Sequence, residues 1–402
     1  MKILIISSYL PRKCGIATFS HDLYKSLAAQ GVDVSILAVS NGTEKSFPKE
    51  VKYKFLFDLP SEYLRAAEWI ATQNYDCCIL QHEFGLFAGE AGKYILDLLR
   101  KIQIPVISNL HTVLENPSAS EREVIENCSK LSTLITVMTT RAVNVLLQNY
   151  GIPKAKVRHI PHGVPDFQIS AEDAREVLGL EGKIVMLSFG LLGRSKGYEV
   201  AIDAVSQIKE ENFIYIILGT THPNVYLQEG DSYKQELIQR AASHKLTGKV
   251  RFVDKFASDT LLQTYLKACD IYVTPYPDAN QMSSGTLSFA LGAGAAVIST
   301  PYAYAKDLLA QGRGCFFDFN DSDGLAYCIK SLINNSLLMN SYRNKALVYG
   351  KKMSWSNVGK QQLMLVKEVV AGTNSLSQMP RKNRIRKTIV LANVQNRSRI
   401  GS

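Results

Sequence analysis

Gln281-Met282-Ser283-Ser284-Gly285-Thr286-Leu287 separates two apolar runs, and its reading decides how the second half of the chain folds. Before it, Ile271-Tyr272-Val273-Thr274-Pro275-Tyr276 is β-branched and aromatic and then breaks into Pro277-Asp278, the pattern of a buried strand leaving a sheet. After it, Leu287 to Ala293 is apolar with helical length, and Ala296-Val297-Ile298-Ser299-Thr300 is a second strand closed by Pro301. Strand, small-residue turn, helix and strand make one parallel crossover unit. A Ser/Gly/Thr turn at a helix start leaves backbone N–H groups unpaired at the positive end of the helix dipole, which suits a phosphate. An ordinary N-cap is the plainer reading of such a turn taken alone.

The alternation extends in both directions. Strand-like runs fall at Lys2–Ser7, Val32–Val39, Tyr53–Phe57, Cys77–Gln81, Pro105–Leu110, Leu134–Met138 and Val157–Ile160. After a Pro/Asp/Ser/Glu-rich break at Pro165–Gly182 they resume at Ile184–Phe189, Phe213–Leu218, Val250–Val253, Ile271–Pro275, Ala296–Thr300 and Cys315–Phe317. Helical stretches intervene, such as Ala17–Gln30, Ser61–Ala71 and Ala91–Lys101. The fold class is therefore α/β, with two Rossmann-like, doubly wound parallel-sheet domains. The expected division is 1–165 for the first domain, 166–182 for a linker and 183–340 for the second domain. Helices over 341–372 and a tail over 373–402 complete it. Ligands of such sheets bind outside the carboxyl ends of the strands, so two facing domains imply a central cleft.

Composition narrows the class. With 402 residues, 46% hydrophobic and 20% charged, the chain has the makeup of a two-domain globular protein. Met1 to Ser8 carries one Lys and a four-residue apolar run, too short for a signal-peptide core, and no stretch has membrane-spanning length. The seven cysteines, at 14, 77, 78, 128, 269, 315 and 328, form no Cys-x-x-Cys and no cluster with zinc spacing. A reducing, cytoplasmic setting without a structural metal is expected. Of the net charge of +10, seven units lie in the tail from Thr373 to Ser402, which has no acidic residue, leaving +3 for the rest. A nucleic-acid-binding body is not supported. The polar tail reads as disordered, with peripheral contact to anionic membrane as its candidate role.

Chemistry-bearing residues gather at strand ends. Cys14-Gly15-Ile16-Ala17-Thr18 opens the first helix without a dinucleotide fingerprint, and Gly15 permits close approach of a ligand. Gln81-His82-Glu83, Asn109-Leu110-His111 and Pro161-His162-Gly163 put three of the seven histidines on one sheet edge. That makes a polar lining, with no metal-ligand spacing. Gly190-Leu191-Leu192-Gly193-Arg194-Ser195-Lys196-Gly197 carries two cations at a helix start, suited to a diphosphate. Leu218-Gly219-Thr220-Thr221-His222 follows the next strand to the same edge.

Over Met1 to Val370 the order of these motifs resembles the retaining glycosyltransferases of the GT-B fold, sequence family 4. It is most similar to a bacterial subgroup often labelled mannosyltransferases or group 1 glycosyltransferases. The shared runs stand here as Cys14–Phe19, Leu80–Gly85, Pro161–Pro165 and Ser284–Leu287. The resemblance implies that Lys196 holds the donor diphosphate and that His111 contacts the transferred sugar. Ser283, Ser284, Gly285, Thr286 and Leu287 would receive the distal phosphate, with Gly15, Gly190, Gly219 and Thr220 around the donor. His82, Glu83 and His162 are assigned to the acceptor side. The segment around Trp355 would cross back onto the first domain.

Two departures stand out. The Arg that many members carry five residues before the Lys is Leu191 here, and Arg194 is the candidate to serve instead. The family's two glutamates fall on Gln281, at the sugar, and Phe289, at the ribose. Phe289 cannot hydrogen-bond, and Gln281 lacks the charge to stabilise an oxocarbenium ion. Asp278, Glu83 and Asp307 are the nearby carboxylates. The expected function is transfer of a hexosyl group, mannosyl among the candidates, from a nucleotide-diphosphate sugar to a glycan, lipid-linked or small-molecule acceptor. No metal or other cofactor is expected. A sugar-phosphate-dependent phosphorylase or synthase on this fold, and a non-catalytic nucleotide- or glycan-binding relic, are the alternatives.

Overall fold

The computed structural model describes residues 1–377, and among them the apolar runs form two parallel sheets. The first contains β1 (Lys2–Ser7), β2 (Asp33–Ser40), β3 (Val51–Leu56), β4 (Cys77–His82), β5 (Val106–Leu110), β6 (Leu134–Val137) and β7 (Val157–His159), in the order β3-β2-β1-β4-β5-β6-β7. The second contains β8 (Ile184–Phe189), β9 (Phe213–Leu218), β10 (Val250–Val253), β11 (Ile271–Thr274), β12 (Ala296–Ser299) and β13 (Gly314–Phe316), in the order β10-β9-β8-β11-β12-β13. The central runs are almost wholly apolar because helices cover both faces of the sheet, whereas the edge strands β3, β7 and β10 each carry Lys or Arg. In β1, Ile3 and Ile5 join one buried cluster while Leu4 and Ile6 join another on the opposite face. Strand order reverses between β1 and β4 and between β8 and β11, and ligands bind at such switch points.

Two stretches differ from expectation. The 166–182 segment is not bare linker: it holds the helix Ala171–Leu178, capped by Ser170, whose Oγ accepts from Asp173 N–H at 3.0 Å. This helix packs on the helix Asp259–Ala268 of the second domain. The last helix, Trp355–Ser377, runs past the expected end at residue 372, with the Thr373 hydroxyl donating to Val369 O at 2.9 Å. The expected disorder and membrane contact of the tail concern, from 378 onward, residues outside those described. No helix among the described residues is long and apolar enough to cross a membrane.

The C-terminal helix ties the two sheets together. Val164 N–H donates to Met353 O at 2.8 Å, and Trp355 N–H returns a bond to Val164 O at 2.9 Å. From there the helix lies on Gly15–Ala28, where Ser26 Oγ donates to Trp355 O at 2.5 Å. Apolar packing dominates this contact. Val366 is fully buried, worth about 1.5–3 kcal/mol relative to exposure, against ~0–1 kcal/mol for the half-exposed Arg158–Glu368 pair at 2.9 Å. Met282, from the loop after β11, is buried with Leu110, Val113 and Ile135 of the first domain, which seats that loop beside the first sheet.

Candidate active site

The carboxyl ends of strands from both sheets open on one cavity of about 740 Å³. On the second-domain side its wall starts with the loop after β8. This loop must pass close to its neighbours. Gly197 has φ +62°, and a Cβ there would overlap the Pro275 carbonyl oxygen. Gly219 has φ +151°, and a Cβ there would overlap Gly190 O. These two approaches bring Gly190, Lys196, Gly219 and Thr220 to the cavity surface. Lys196 is half-buried with Nζ 4.3 Å from the centre of the Tyr276 ring, and among the described residues it pairs with no carboxylate. Tyr276 OH meets Thr286 Oγ1 at 2.8 Å, so the cation, the phenol and the turn form one continuous wall.

The turn itself begins the helix Gly285–Ala293. Ser284 is its N-cap, with Oγ accepting from Leu287 N–H at 3.2 Å. Leu287 is wholly buried and its amide is committed to that cap. The N–H groups of Gly285 and Thr286 find no acceptor among the described residues and, with Ser283, line the cavity. Two free donors, the helix dipole and the Lys196 ammonium therefore converge on one place suited to an anion.

Two expected members of this wall turn elsewhere. Arg194 is exposed and bound by Glu236, at 2.7 and 2.8 Å, and Glu229, at 3.2 Å, with its guanidinium 5.3 Å from the Tyr233 ring centre. Those carboxylates pull it off the cavity surface and raise its pKa. Of the two cations in the loop only Lys196 faces the cleft. Gln281 donates from Nε2 to Ser283 O at 2.9 Å, folded onto its own loop and away from the lining. Arg194→Ala is accordingly expected to change turnover and donor affinity by no more than roughly threefold, since an exposed pair is worth ~0–1 kcal/mol. Steady-state kinetics on the folded variant check this, and a loss beyond about tenfold would return Arg194 to the site.

The first-domain wall is built around Phe19 on the helix Gly15–Ala28. Its ring packs edge-on against His111 at 4.8 Å, His162 at 5.1 Å and Trp355 at 5.0 Å between centroids. His111 Nε2 donates to Gln81 Oε1 at 2.8 Å, and Asn109 Nδ2 donates to the same oxygen at 2.9 Å. That places the His111 proton on Nε2 and leaves Nδ1 as an acceptor. Burial, then His162 and His82, push its pKa down to about 3, so the imidazole is neutral. His162 donates from Nδ1 to Gly163 O at 2.7 Å, and burial lowers it to about 4. Its Nε2 lies next to Gly285, linking the first domain to the phosphate-type turn.

Glu83 lines the cavity and accepts from Thr112 Oγ1 at 2.7 Å. Burial raises its pKa while the bonds from Thr112 and Phe84 N–H oppose the rise. His82 does not reach the surface. It is wholly buried, packs edge-on against Phe84, leaves both ring nitrogens unpartnered, and is lowered to about 4 by burial. Asp278 accepts from Asn280 N–H at 2.9 Å and Asp307 from Thr140 N–H at 2.7 Å, and neither lines the cavity.

The sequence reading does not single out Asp22, yet it lines the cleft together with Gly15, Thr18 and Phe19. The spacing 15, 18, 19, 22 is one helical face, and that periodicity was the available signal. Burial above all raises the Asp22 pKa to about 7; Lys25, 3.7 Å away, opposes the rise and Asp259 adds to it. Asp259, from the second domain, lines the same cavity beside Phe289. Phe289 is buried, its ring 5.9 Å from His162 and 6.3 Å from Phe189 between centroids, an apolar floor with no hydrogen-bonding group.

Comparison with known proteins agrees with this architecture. Residues 14–166 match the family model for Glycosyltransferase Family 4, and residues 170–352 match that for Glycosyl transferases group 1. A mannosylfructose-phosphate synthase of Agrobacterium fabrum is 24% identical over 249 residues, 58% of this chain. The match spans about half of that relative's length, 52%. Among solved structures, HepE of Anabaena in complex with UDP aligns with TM-score 0.75 at 17% identity, covering 92% of this chain and 100% of that one. Sucrose-phosphate synthase of Thermosynechococcus elongatus aligns with TM-score 0.74 at 16% identity, covering 92% and 100%. With the two family models falling in order on two facing parallel-sheet domains, the chain belongs to the glycosyltransferases of the GT-B fold.

Proposed function

We propose that this glycosyltransferase moves a hexosyl group from a nucleotide-diphosphate sugar to a hydroxyl acceptor, with retention of configuration and without a metal. The observation that carries the reading is the convergence of Lys196 Nζ and the free N–H groups of Gly285 and Thr286 on one wall of the cleft. These would hold the donor diphosphate and stabilise the charge that develops on it. That supply of positive charge supports a metal-independent route. In the step itself the bond from the anomeric carbon to the diphosphate oxygen breaks and the bond to the acceptor oxygen forms on the same face. The acceptor proton passes to the departing diphosphate oxygen, so no protein nucleophile is required. His111 would contact the sugar through Nδ1, and closure of the two domains would exclude water.

With Phe289 and Gln281 unable to act as the family's glutamates, Asp22, Asp259 and Glu83 are the carboxylates available to donor and acceptor hydroxyls. A mannosyl donor remains a candidate. The UDP bound in the Anabaena structure and the mannosylfructose-phosphate synthase relative both support nucleotide-sugar chemistry. The relative and the sucrose-phosphate synthase neighbour also favour the synthase reading, in which the acceptor is a small sugar phosphate. A cytoplasmic location belongs to the same proposal, because nucleotide sugars are met there.

The test is a screen of UDP- and GDP-sugars for nucleoside diphosphate release, with and without sugar and sugar-phosphate acceptors, each in the presence and absence of EDTA. Acceptor-dependent release that persists with chelator is expected. Loss with EDTA, restored by one divalent ion, would refute the metal-independent route. Tight nucleotide binding with no turnover on any donor would favour a binding relic.

A further inference from the structure

Lys196 follows β8 and Tyr276 follows β11, and a backbone contact brings the two loops together. Gly197 packs so closely on the Pro275 carbonyl that the residues flanking this contact, Lys196 and Tyr276, meet side by side. Lys196 Nζ sits over the Tyr276 ring, 4.3 Å from its centre. The ring is buried and held from several directions. It stacks on Tyr302 with 5.4 Å between centroids and 21° between planes. Its hydroxyl meets Thr286 Oγ1 at 2.8 Å, and its backbone carbonyl accepts from Thr300 Oγ1 at 2.6 Å.

The other cation of the same loop shows what a different partner does. Arg194 is held by Glu229 and Glu236, which neutralise it and draw it away from the cleft. A carboxylate on Lys196 would likewise fix the ammonium, but it would cancel the charge that an anion needs. A ring face attracts an ammonium through its quadrupole and adds no net charge. The restraint matters because lysine carries its charge on a flexible four-carbon stem. Ordering a free stem at the moment of binding would cost conformational entropy, and a stem already seated on a fixed ring avoids that cost.

We infer that Tyr276 is a positioning residue of the anion-binding wall. Its ring face holds the Lys196 ammonium in place with the charge intact, and its hydroxyl fixes the side chain of Thr286, whose N–H lines the same wall. The identity of the anion as a nucleotide diphosphate rests on the transferase reading above; the coupling of Tyr276 to Lys196 does not.

Isothermal titration calorimetry on the full chain tests it, with UDP and GDP as probes. Tyr276→Phe keeps the ring and drops the hydroxyl, and Thr286 Oγ1 retains Ser284 Oγ at 3.1 Å. Its affinity should stay within about threefold of wild type. Pentafluorophenylalanine in place of Tyr276 keeps nearly the same shape, and so the fold, but reverses the ring quadrupole. It should bind the diphosphate about tenfold more weakly than Tyr276→Phe, the scale of a desolvated cation–ring contact. In a Lys196→Ala background the same exchange should change affinity by less than about twofold, because a coupling vanishes with its partner. A fluorinated ring that binds as well as Tyr276→Phe overturns the inference. So does a loss of equal size without Lys196, which would reduce Tyr276 to a packing role. If UDP or GDP binds and the ring does not couple to Lys196, this inference fails and the transferase reading stands. If the ring couples and no donor is turned over, the reverse holds. Binding of neither diphosphate by the wild-type chain overturns both.

Discussion

Lys196→Ala is expected to lower turnover about 10²-fold or more while leaving the fold intact. Nζ lies on the cleft wall over Tyr276 with no carboxylate partner among the described residues, so removing it breaks no ion pair. It would remove a preorganised charge from the place where negative charge grows as the donor bond breaks. The loss of one such stabiliser typically costs on the order of 10²–10³ in rate. Donor affinity should fall too, because the diphosphate is charged before the reaction begins, but by less than turnover. Thermal melting checks the fold and steady-state kinetics check the rate. Near-native turnover by a folded variant would remove Lys196 from the mechanism. Lys196→Arg should recover only part of the activity, since a planar fork does not reproduce a point charge.

His111→Ala is expected to lower turnover about 10²-fold with a smaller effect on donor affinity. A contact to the transferred sugar matters most as the ring gains positive charge, where a neutral acceptor nitrogen is favourable and an imidazolium would oppose it. Burial holds the His111 pKa near 3, below the ordinary 6.5, so the neutral form persists at every pH above about 5. The wild-type pH–rate profile should therefore show no limb from this histidine between pH 5 and 9. A limb near 6.5 that disappears in the variant would show that the imidazole titrates, against the burial argument. Equal losses in binding and turnover would reduce His111 to donor positioning.

The central strands were legible because helices cover both faces of the sheet around them, and the edge strands β3, β7 and β10 because short β-branched or aromatic runs persist between their charged residues. A strand with two buried faces must be apolar throughout, and Gly, Pro or polar residues must mark its ends. All the runs read from residue pattern became strands, with ends shifted by at most two residues, as at Tyr53–Phe57 against Val51–Leu56. The glycine-bearing turns were legible for a related reason. A chain that leaves a strand and starts a helix at once needs small residues and a cap such as Ser284.

Which side chain of each turn enters the cleft was decided by residues distant in sequence. Arg194 and Lys196 are near equals in the chain, but Glu229 and Glu236 fold back to neutralise the first and leave the second facing the ligand space. His82, His111 and His162 each stand near a strand end. Only packing separates them: Phe84 and Phe87 enclose His82, while Phe19 from another element holds the other two at the cleft. Asp22 looked like any polar position on an amphipathic helix until the second domain brought Asp259 and Phe289 across from it. By itself the sequence determined the α/β layers, the strand ends and the turns, because backbone hydrogen bonding and burial act over a few residues. The tertiary structure alone decided orientation, charge pairing and proton affinity, because those depend on which distant groups share the same low-dielectric space.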